Sequence, residues 1–538
     1  MRILVYAFLI LFVILPVCAQ EPTTPTLRSS AVRILDRLDQ DSSLLVSARG
    51  GLVHWFCRNR RYDEALNQTF TLPNYERIQL TTLITQSAVK ANDKDAADKI
   101  MSDTLSFFEK HKDDEAWFSH AATFLELALD NNNLTLAAKF VSILEDGSLK
   151  KSWALLRLAT AHAKSNNQKQ GVALAQEALA QTAGFDEDEQ SEIVSITVAA
   201  AKVMVLAGDI ERAKNVANQA VTGLFTQINP DKNDQLNVAA VLAAVGNMSQ
   251  ALGMVESVNE RKTPGLISLA QNCADQQTAA SLLDRARDLA LEPTVDTYAQ
   301  SQELRDLVSA FLRANRADEA AKLLPRIIDE YQLRTAAIAV SEVLLKARRF
   351  VEAEQALDVA RKKAEKIVSE KSNDIPGYAS SSRVQTKSHI LSALVDNYIL
   401  LGRLDSAELA ANAIDHPQYQ ASALSKIAEA FAAEGEQSKA RGFLRRALEL
   451  SMKSKEYNHD RLKEEALFDI SCAMNKAGLH SDFAAAVSRF LEQLEKSELV
   501  DQFAAHLFIL GDLADSSGIT LNSKTVALLK KIEAQSGN

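Results

Sequence analysis

The sequence predicts an all-α fold, an α-solenoid of stacked helical hairpins, and two observations support this prediction. First, a turn Gly or Asn is repeatedly followed, five residues later, by an Ala. Second, apolar residues flank these copies at the i, i+3, i+4 spacing of amphipathic helices. Such repetition is typical of arrays in which each hairpin contacts only its neighbours. The clearest copies are GDIERA ending at Ala213, GNMSQA at Ala251, NRADEA at Ala320, GRLDSA at Ala407 and GEQSKA at Ala440.

The stretch 390–409 shows how one copy predicts two helices and a turn. Leu391 and Leu394 begin an apolar stripe with helical spacing. Gly402 ends this first helix, because glycine adopts the left-handed geometry of a helix terminus at little cost. Ala407 then lies one turn into the second helix, where its small side chain lets the two helices approach closely.

The anchor alanines, which end each copy of the pattern, predict roughly twelve hairpins by their spacing. Successive intervals include 31, 41, 38, 33 and 54 residues, so we expect variable loops and an irregular array. Gaps of 76 and 69 residues each fit two units, with weaker copies near Ala173 and Ala280. The anchor alanines are Ala65, Ala96, Ala137, Ala213, Ala251, Ala320, Ala353, Ala407 and Ala440.

Most of residues 40–495 resembles the tetratricopeptide-repeat (TPR-like) superfamily. Besides the turn Gly and the anchor alanine, the resemblance rests on a small residue at the helix crossing and a large apolar residue three positions later. The spacing departs from a strict 34-residue repeat. The resemblance implies a right-handed superhelix whose concave surface binds proteins. The residue pairs are Ala201 with Met204, Ala239 with Leu242, Ala428 with Phe431 and Ser471 with Met474.

The alternative fold is a non-repeating all-α domain that is rich in Ala and Leu. Composition alone is compatible with it, since 47% of the residues are hydrophobic and only 6% are aromatic. Five copies of the turn pattern at the same offset favour the repeat array instead.

The N-terminus predicts a cleaved secretory signal peptide over residues 1–19. Arg2 precedes an apolar run from Ile3 to Val17, and small residues end at Ala19. The run is short for a membrane span, which needs about 20 residues. An uncleaved anchor and a lipidated Cys18 are the alternatives. We therefore expect a secreted or periplasmic protein with no membrane span after cleavage.

The remaining chain is predicted to form two repeat blocks. A flexible leader covers 20–30, and the first TPR-like block covers 31–369. Residues 370–387 include Pro376, Gly377 and three consecutive serines, which indicates a loop within one hairpin or a hinge between blocks. The second block covers 388–535, and its last two helices are expected to cap the array because an end unit must cover its apolar face.

Charge and cysteine content narrow the class of partner and site. The net charge of −10 disfavours nucleic acid as a partner, since such proteins usually carry a basic face. After signal cleavage Cys57, Cys273 and Cys472 remain, and their wide separation predicts unpaired thiols in apolar helices.

The motifs of catalysis and of metal or cofactor binding are missing from the sequence. It has no phosphate-binding glycine loop, no HExxH and no nucleophile elbow, so we expect neither catalysis nor a cofactor. His111 and His120 flank Trp117 near three acids. This cluster could ligate a metal, but its spacing alone shows no convergent geometry, so no metal site is predicted.

The aromatic residues give the only partner-binding candidates, Trp117 and Phe118. All three tryptophans, Trp55, Trp117 and Trp153, lie within the first 153 residues, and several phenylalanines accompany them. Aromatic side chains are enriched at binding hot spots. They also dominate cores, so packing inside the first repeats is the favoured explanation for most of them.

Together these patterns predict an exported helical-repeat scaffold that binds a protein or peptide on its concave surface, without catalysis. Two alternatives stay open: a helical-toroid enzyme acting on polysaccharide and a structural envelope component. A toroid enzyme would gather Trp, Tyr and acids in long loops at one end. Three tryptophans and short turns argue against it.

Overall fold

A computed structural model of the 538-residue chain describes most residues from Thr26 onward. The described ranges are 26–38, 43–110, 118–185, 189–227, 230–258, 262–367, 379–453, 460–496, 503–520 and 522–535. The predicted signal peptide and residues 20–25 of the predicted flexible leader lie outside these residues, whereas residues 27–30 form the start of a helix in which Leu27 and Ser30 are buried. Within the described ranges the regular structure is entirely helical, which confirms the predicted all-α class. In this part of the chain, no helix is both long and apolar enough to cross a membrane.

The described residues form 27 α-helices. The first third of the chain contains α1 Leu27–Arg37, α2 Ser43–Arg58, α3 Tyr62–Asn67, α4 Asn74–Lys90, α5 Lys94–Lys110, α6 Phe118–Asp130, α7 Leu134–Ile143, α8 Leu149–Lys164 and α9 Gln168–Gln181. The middle contains α10 Gln190–Leu206, α11 Ile210–Thr226, α12 Lys232–Ala244, α13 Met248–Ser257, α14 Lys262–Asn272, α15 Gln276–Ala290, α16 Thr297–Arg313, α17 Ala317–Leu323, α18 Glu330–Lys346 and α19 Phe350–Glu365. The last third contains α20 Ala379–Leu400, α21 Leu404–Asn412, α22 Pro417–Ala433, α23 Gln437–Lys453, α24 Asp460–Lys476, α25 His480–Leu494, α26 Ala504–Ser516 and α27 Ser523–Gln535.

The helices belong to two compact units. The major unit comprises Cys57–Leu66 and Asn74–Asp415, and the terminal unit comprises Met1–Phe56, Asn67–Pro73 and His416–Asn538. The predicted loop or hinge at 370–387 lies inside the major unit. Its residues 370–378 are outside the described ranges, and α20 begins at Ala379. Whether this segment is a loop or a hinge stays a prediction.

The major unit is an array of nine helical hairpins, from α4 and α5 to α20 and α21. The two helices of each hairpin pack against each other, and each first helix also packs against the first helix of the next hairpin. Apolar positions predicted from periodicity lie in this core; Leu391 and Leu394 of α20 are fully buried. The terminal unit contains hairpins α22–α23 and α24–α25 and the pair α26 and α27. With α2 and α3, whose turn has the left-handed Arg60 and whose predicted anchor Ala65 is fully buried, the described residues contain thirteen pairs, close to the roughly twelve predicted.

A left-handed residue marks the turn inside twelve of these thirteen pairs, among the described residues. Gly208, Gly246, Gly402 and Gly435 have φ between +68° and +88°, as the recurring pattern predicted. Asn315, with φ +58°, occupies the same position in α16–α17. Each of these turns also has a hydrogen bond from the next N–H back to a carbonyl five residues earlier, such as Asp209 N to Met204 O at 2.9 Å. The turn therefore satisfies the carbonyls that a helix end leaves free.

Five residues after the left-handed position lies a fully buried small side chain in most pairs. Ala213, Ala251, Ala320, Ala407 and Ala440 all have no measurable exposure, which confirms the anchor role predicted for them. Every one lies in the second helix of its hairpin, where a larger side chain would separate the two helices.

Two predicted anchors need correction by one or two positions. Ala96 is partly exposed, and the buried anchor is Ala97, five residues after the left-handed Asn92. Ala173 is exposed, and the equivalent position is Gly171. A Cβ at Gly171 would lie 2.9 Å from the carbonyl oxygen of Ala159, so even alanine would force a shift there.

The terminal unit brings the two ends of the chain together. Helix α1 packs against α26 and α27 and buries Ala31 and Ile34 completely. Arg33 forms an ion pair with Glu533 at 2.7 Å. Gly511 permits this approach, because a Cβ at that position would lie 2.6 Å from the backbone nitrogen of Arg28. The C-terminal helices expected to cap the array are thus themselves covered by the N-terminal helix.

Candidate functional site

The structure leaves the predicted partner site untested. Trp117 lies outside the described residues, and Phe118 is the first residue of α6, where the structure describes the backbone alone. Trp117 and Phe118 therefore remain a prediction. His111 is also outside the described ranges, and among the described residues no group of three metal-ligating side chains is present.

The other aromatic residues of the first repeats divide between core and surface. Phe108, Phe124 and Phe140 are buried and form a cluster with ring centroids 5.8–6.3 Å apart, which confirms core packing as their role. Trp55 donates a hydrogen bond from Nε1 to Asp512 at 3.3 Å inside the terminal unit. Trp153 on α8 is different, because 39% of it is exposed.

Exposed tyrosines occupy one repeated position in the array. Tyr75, Tyr298 and Tyr331 are each the second residue of the first helix in a hairpin, on α4, α16 and α18. Their exposed fractions are 52%, 54% and 41%. Because α16 and α18 are neighbouring first helices that pack together, Tyr298 and Tyr331 occupy equivalent places on adjacent units.

The loops beside these two tyrosines are fixed by hydrogen bonds. The Ser301 hydroxyl accepts from the backbone N–H groups of Ile328 and Asp329 at 3.2 and 3.0 Å. The Gln300 amide donates to the carbonyls of Ala290 and Glu292 at 2.9 Å each. The loops before α16 and α18 are thus held against the first turns of α16.

The fixed loops also carry exposed apolar side chains, each within seven residues of the tyrosine that follows in sequence. We call this set the aromatic edge; its members are Leu291, Val295, Tyr298, Ile328 and Tyr331, all exposed. The Arg334 guanidinium lies 5.1 Å from the centre of the Tyr331 ring. Exposed apolar side chains gathered in one place are typical of protein-binding surfaces.

The turn between α14 and α15 departs from the repeated geometry. It has the usual three residues, Cys273, Ala274 and Asp275, but Ala274 stands where the other hairpins have Gly, Asn or Arg with positive φ. None of these three residues makes the backbone hydrogen bond that closes the other turns. The equivalent anchor, Ala279, is only partly buried. Hairpin α14–α15 is therefore more open at this end.

A cavity of about 700 Å³ lies at this open turn and the next one along the array. Its apolar wall consists of alanines and Leu283, and its polar wall consists of amides and two arginines. The lining residues are Ala270, Gln271, Asn272, Gln276, Ala279, Ala280, Leu283, Ala310, Arg313, Ala314, Asn315 and Arg316. The volume is within the range of small-molecule and peptide pockets.

Arg316 joins the two hairpins that border the cavity. Its guanidinium donates to Asp284 of α15 at 2.6 Å and to Glu319 of α17, and it lies 4.6 Å from the centre of the Phe311 ring. These partners, Glu319 first, raise the pKa of Arg316 above its usual value. Arg287 also binds Asp284 at 3.0 Å. Arg316 is thus a structural part of the wall, with its charge already balanced.

Arg313 is the available cation of the cavity. It is exposed, and among the described residues no hydrogen bond or ion pair involves its guanidinium. The side-chain amides of Gln271, Gln276 and Asn315 line the same space and carry both donors and acceptors. This arrangement can bind an anionic or hydrogen-bonding group.

Helix α16 connects the cavity with the aromatic edge. Tyr298, Gln302, Ser309 and Arg313 are at least partly exposed and recur at intervals that place them on one helix face. Fifteen residues separate Tyr298 from Arg313, which corresponds to about 22 Å along the helix. An extended peptide of about seven residues covers that distance.

None of the three described cysteines forms a disulfide, and the position of one differs from its prediction. Cys57 and Cys472 are buried, as expected. Burial raises the pKa of the Cys57 thiol to about 11, despite a hydrogen bond to Ser87. Cys273 was expected in an apolar helix but lies in the open turn beside the cavity, half-buried.

Sequence patterns did not reveal this site. The cavity depends on a turn without Gly or Asn, and its signal is the sequence Cys273-Ala274-Asp275 at the position of a turn. The sequence does contain a pattern that indicates the tyrosines, but it is visible only when the hairpins are compared with one another. Asp296 and Asp329 cap the N-termini of α16 and α18, and a Tyr follows each of them two residues later.

The left-handed turns, the buried anchors and the stacked hairpins define an all-α helical-repeat protein with TPR-like architecture. No protein-family model and no curated protein matches the chain.

Several solved structures are similar at low sequence identity. One is Ton1535 from Thermococcus onnurineus NA1, with 14% identity, a TM-score of 0.24, and coverage of 78% of this chain and 97% of that chain. Another is the pentatricopeptide repeat protein PPR10 from maize, with 13% identity, a TM-score of 0.26, and coverage of 97% and 73%. The APC/C hetero-tetramer Cut9-Hcn1 has 11% identity, a TM-score of 0.25, and coverage of 89% and 95%. At these scores the likeness carries no argument about function.

Proposed function

We propose that this protein is a non-catalytic scaffold that binds an extended segment of a protein partner on the exposed face of its first helices. The observation that carries the proposal is the pair Tyr298 and Tyr331, which occupy equivalent exposed positions on adjacent hairpins. Tyrosine provides a large contact area with little loss of side-chain freedom, and it is enriched at binding hot spots.

The rigidity of the aromatic edge supports this proposal. Ser301 and Gln300 fix the two loops beside Tyr298, so its apolar neighbours are already in place before a partner binds. A preformed surface loses less conformational entropy on binding than a mobile one. The segment would run along α16 from the aromatic edge toward the cavity.

Site-specific photo-crosslinking tests the proposal directly. A benzophenone side chain replaces Tyr298 in one variant and Phe225 in a control variant. Phe225 is 71% exposed on α11 and lies outside the aromatic edge. We expect one recurrent protein crosslinked at position 298 and not at 225, through the same peptide in repeated experiments. Equal crosslinking at both positions contradicts the proposal, and so does turnover of a polysaccharide by the purified protein.

We also propose that the protein is exported after cleavage behind Ala19. The support is the sequence of Arg2, the apolar run to Val17 and the small residues that follow. The intact mass of the exported protein should correspond to a chain that begins at Gln20. A mass that retains residues 1–19, or one that includes a lipid on Cys18, contradicts it.

A further inference from the structure

We propose that the cavity beside the open turn binds a carboxylate group through Arg313. The carboxylate comes either from an acidic residue or C-terminus of the bound segment or from a small carboxylic acid. The peptide source rests on the proposed function; the small-molecule source does not.

Charge is the first argument for a carboxylate. No acidic residue is among those that line the cavity, and the nearby acids Asp284 and Glu319 pair with Arg316. Asp275 accepts the backbone N–H of Thr278 at 2.7 Å and caps α15. Arg313 also lines the cavity, and in the described part of the chain no acid is bound to its guanidinium. A ligand of opposite charge would complete this site.

Geometry is the second argument. A guanidinium presents paired N–H donors that match the two oxygens of a carboxylate. The amides of Gln271, Gln276 and Asn315 line the same space and can donate to the remaining lone pairs. A carboxylate accepts several hydrogen bonds at once, so this set of neutral donors around one cation suits it.

The apolar wall is the third argument. Ala279, Ala280 and Leu283 line the cavity, and none of them carries a charge. Such a wall excludes water from one side of the bound group, which strengthens its interaction with Arg313. The volume of about 700 Å³ accommodates a dicarboxylic acid or two to three residues of a peptide.

Calorimetric titration of the full chain with four probes tests the proposal. Glutarate represents the small acid, and acetyl-Glu-Glu-Ala-amide represents the peptide. Glutaramide and acetyl-Gln-Gln-Ala-amide are the uncharged equivalents. We expect saturable binding of at least one charged probe and at least tenfold weaker binding of its uncharged equivalent. The charged probe that binds identifies the source of the carboxylate.

Two variants test whether the charged probe binds in the cavity. Arg313→Gln keeps a polar side chain but removes the charge, and it should weaken the charged probe about tenfold or more. The matched control is Arg326→Gln, which removes an exposed arginine that does not line the cavity and should leave binding unchanged. The bound probe should also slow maleimide modification of Cys273, which adjoins the cavity.

Several results would overturn the proposal. They are no saturable binding of either charged probe, equal binding of the amides, or equal losses in Arg313→Gln and Arg326→Gln. The titration and the crosslinking experiment also distinguish the carboxylate site from the proposed scaffold function. Carboxylate binding without a crosslinked partner at position 298 removes the scaffold function alone, and the reverse result removes the carboxylate site alone.

Discussion

Hairpins α14–α15 and α16–α17 are neighbours with turns of equal length, yet only one of them is closed. In α16–α17 the turn residue Asn315 has φ +58°, Arg316 N donates to Phe311 O at 2.8 Å, and Ala320 is fully buried. In α14–α15 the turn residue is Ala274, that hydrogen bond is missing, and Ala279 lines a cavity. The two hairpins thus differ in the backbone conformation of the turn, in the hydrogen bond that closes it and in the burial of the residue five positions later.

The physical reason is the cost of left-handed backbone. A Cβ disfavours this conformation by about 1–2 kcal/mol, whereas Gly has no Cβ and Asn compensates locally. Alanine has neither advantage, and Ala274 keeps negative φ, whereas Arg348 accepts the cost and adopts φ +59°. The residue five positions after Ala274, Ala279, is only partly buried.

The largest expected difference between the two hairpins concerns their anchors. Ala320→Leu should lower the free energy of unfolding by about 1–3 kcal/mol, because the crossing has no space for the added carbons. Ala279→Leu should change it by less than about 0.5 kcal/mol, because the side chain enters the cavity. Equilibrium urea unfolding measures both. Equal losses would mean that α14–α15 is as closed as its neighbour.

Substitution by glycine should change the free energy of unfolding in opposite directions at two equivalent turn positions. Arg348 has φ +59°, so Arg348→Gly relieves left-handed strain and should raise the free energy of unfolding by up to about 1 kcal/mol. Ala274→Gly should lower it by about 0.5–1 kcal/mol, because glycine only gains freedom in the unfolded chain. The same urea titration reports both values. A stabilising Ala274→Gly would show that this turn, too, favours positive φ.

The smallest expected effect is a difference in reactivity between two native thiols, and its measurement needs no substitution. Cys273 at the open turn should react with maleimide faster than Cys57, whose pKa of about 11 leaves very little thiolate near neutral pH. Raising the pH toward 11 should narrow the difference, because Cys57 then begins to ionise. Peptide mass mapping after brief labelling gives the ratio. Equal rates at neutral pH would place Cys273 in a closed environment.

The parts of the fold that depend on residue identity at a fixed offset were predictable from sequence. Gly208, Gly246 and the alanines five residues after them carry their own signal, since few residue types fit either position. The errors at Ala96 and Ala173 arose where Asn replaces Gly at the turn; at Ala96 the neighbouring Ala97 is the anchor, and near Ala173 the position is occupied by Gly171. Periodicity alone does not distinguish alanines one residue apart.

The site was not predictable in the same way. The cavity results from the absence of a turn residue, and Arg313 is significant only because Arg316 has already neutralised the nearby acids. That pairing joins hairpins across 32 residues and is visible only in three dimensions. Sequence reasoning instead selected Trp117 and Phe118 from aromatic composition, and that site stays a prediction.

The contact between α1 and the last two helices also affects the order in which parts of the chain fold. Arg33 and Glu533 are 500 residues apart in sequence, so nearly the whole chain must be synthesised before this ion pair forms. Hairpins in the middle of the chain need only their neighbours and can assemble much earlier. Until α26 and α27 have been made, the apolar side of α1 has no surface to cover it. The terminal unit is therefore expected to be the last part to fold and, while it waits, the part that most needs protection from aggregation.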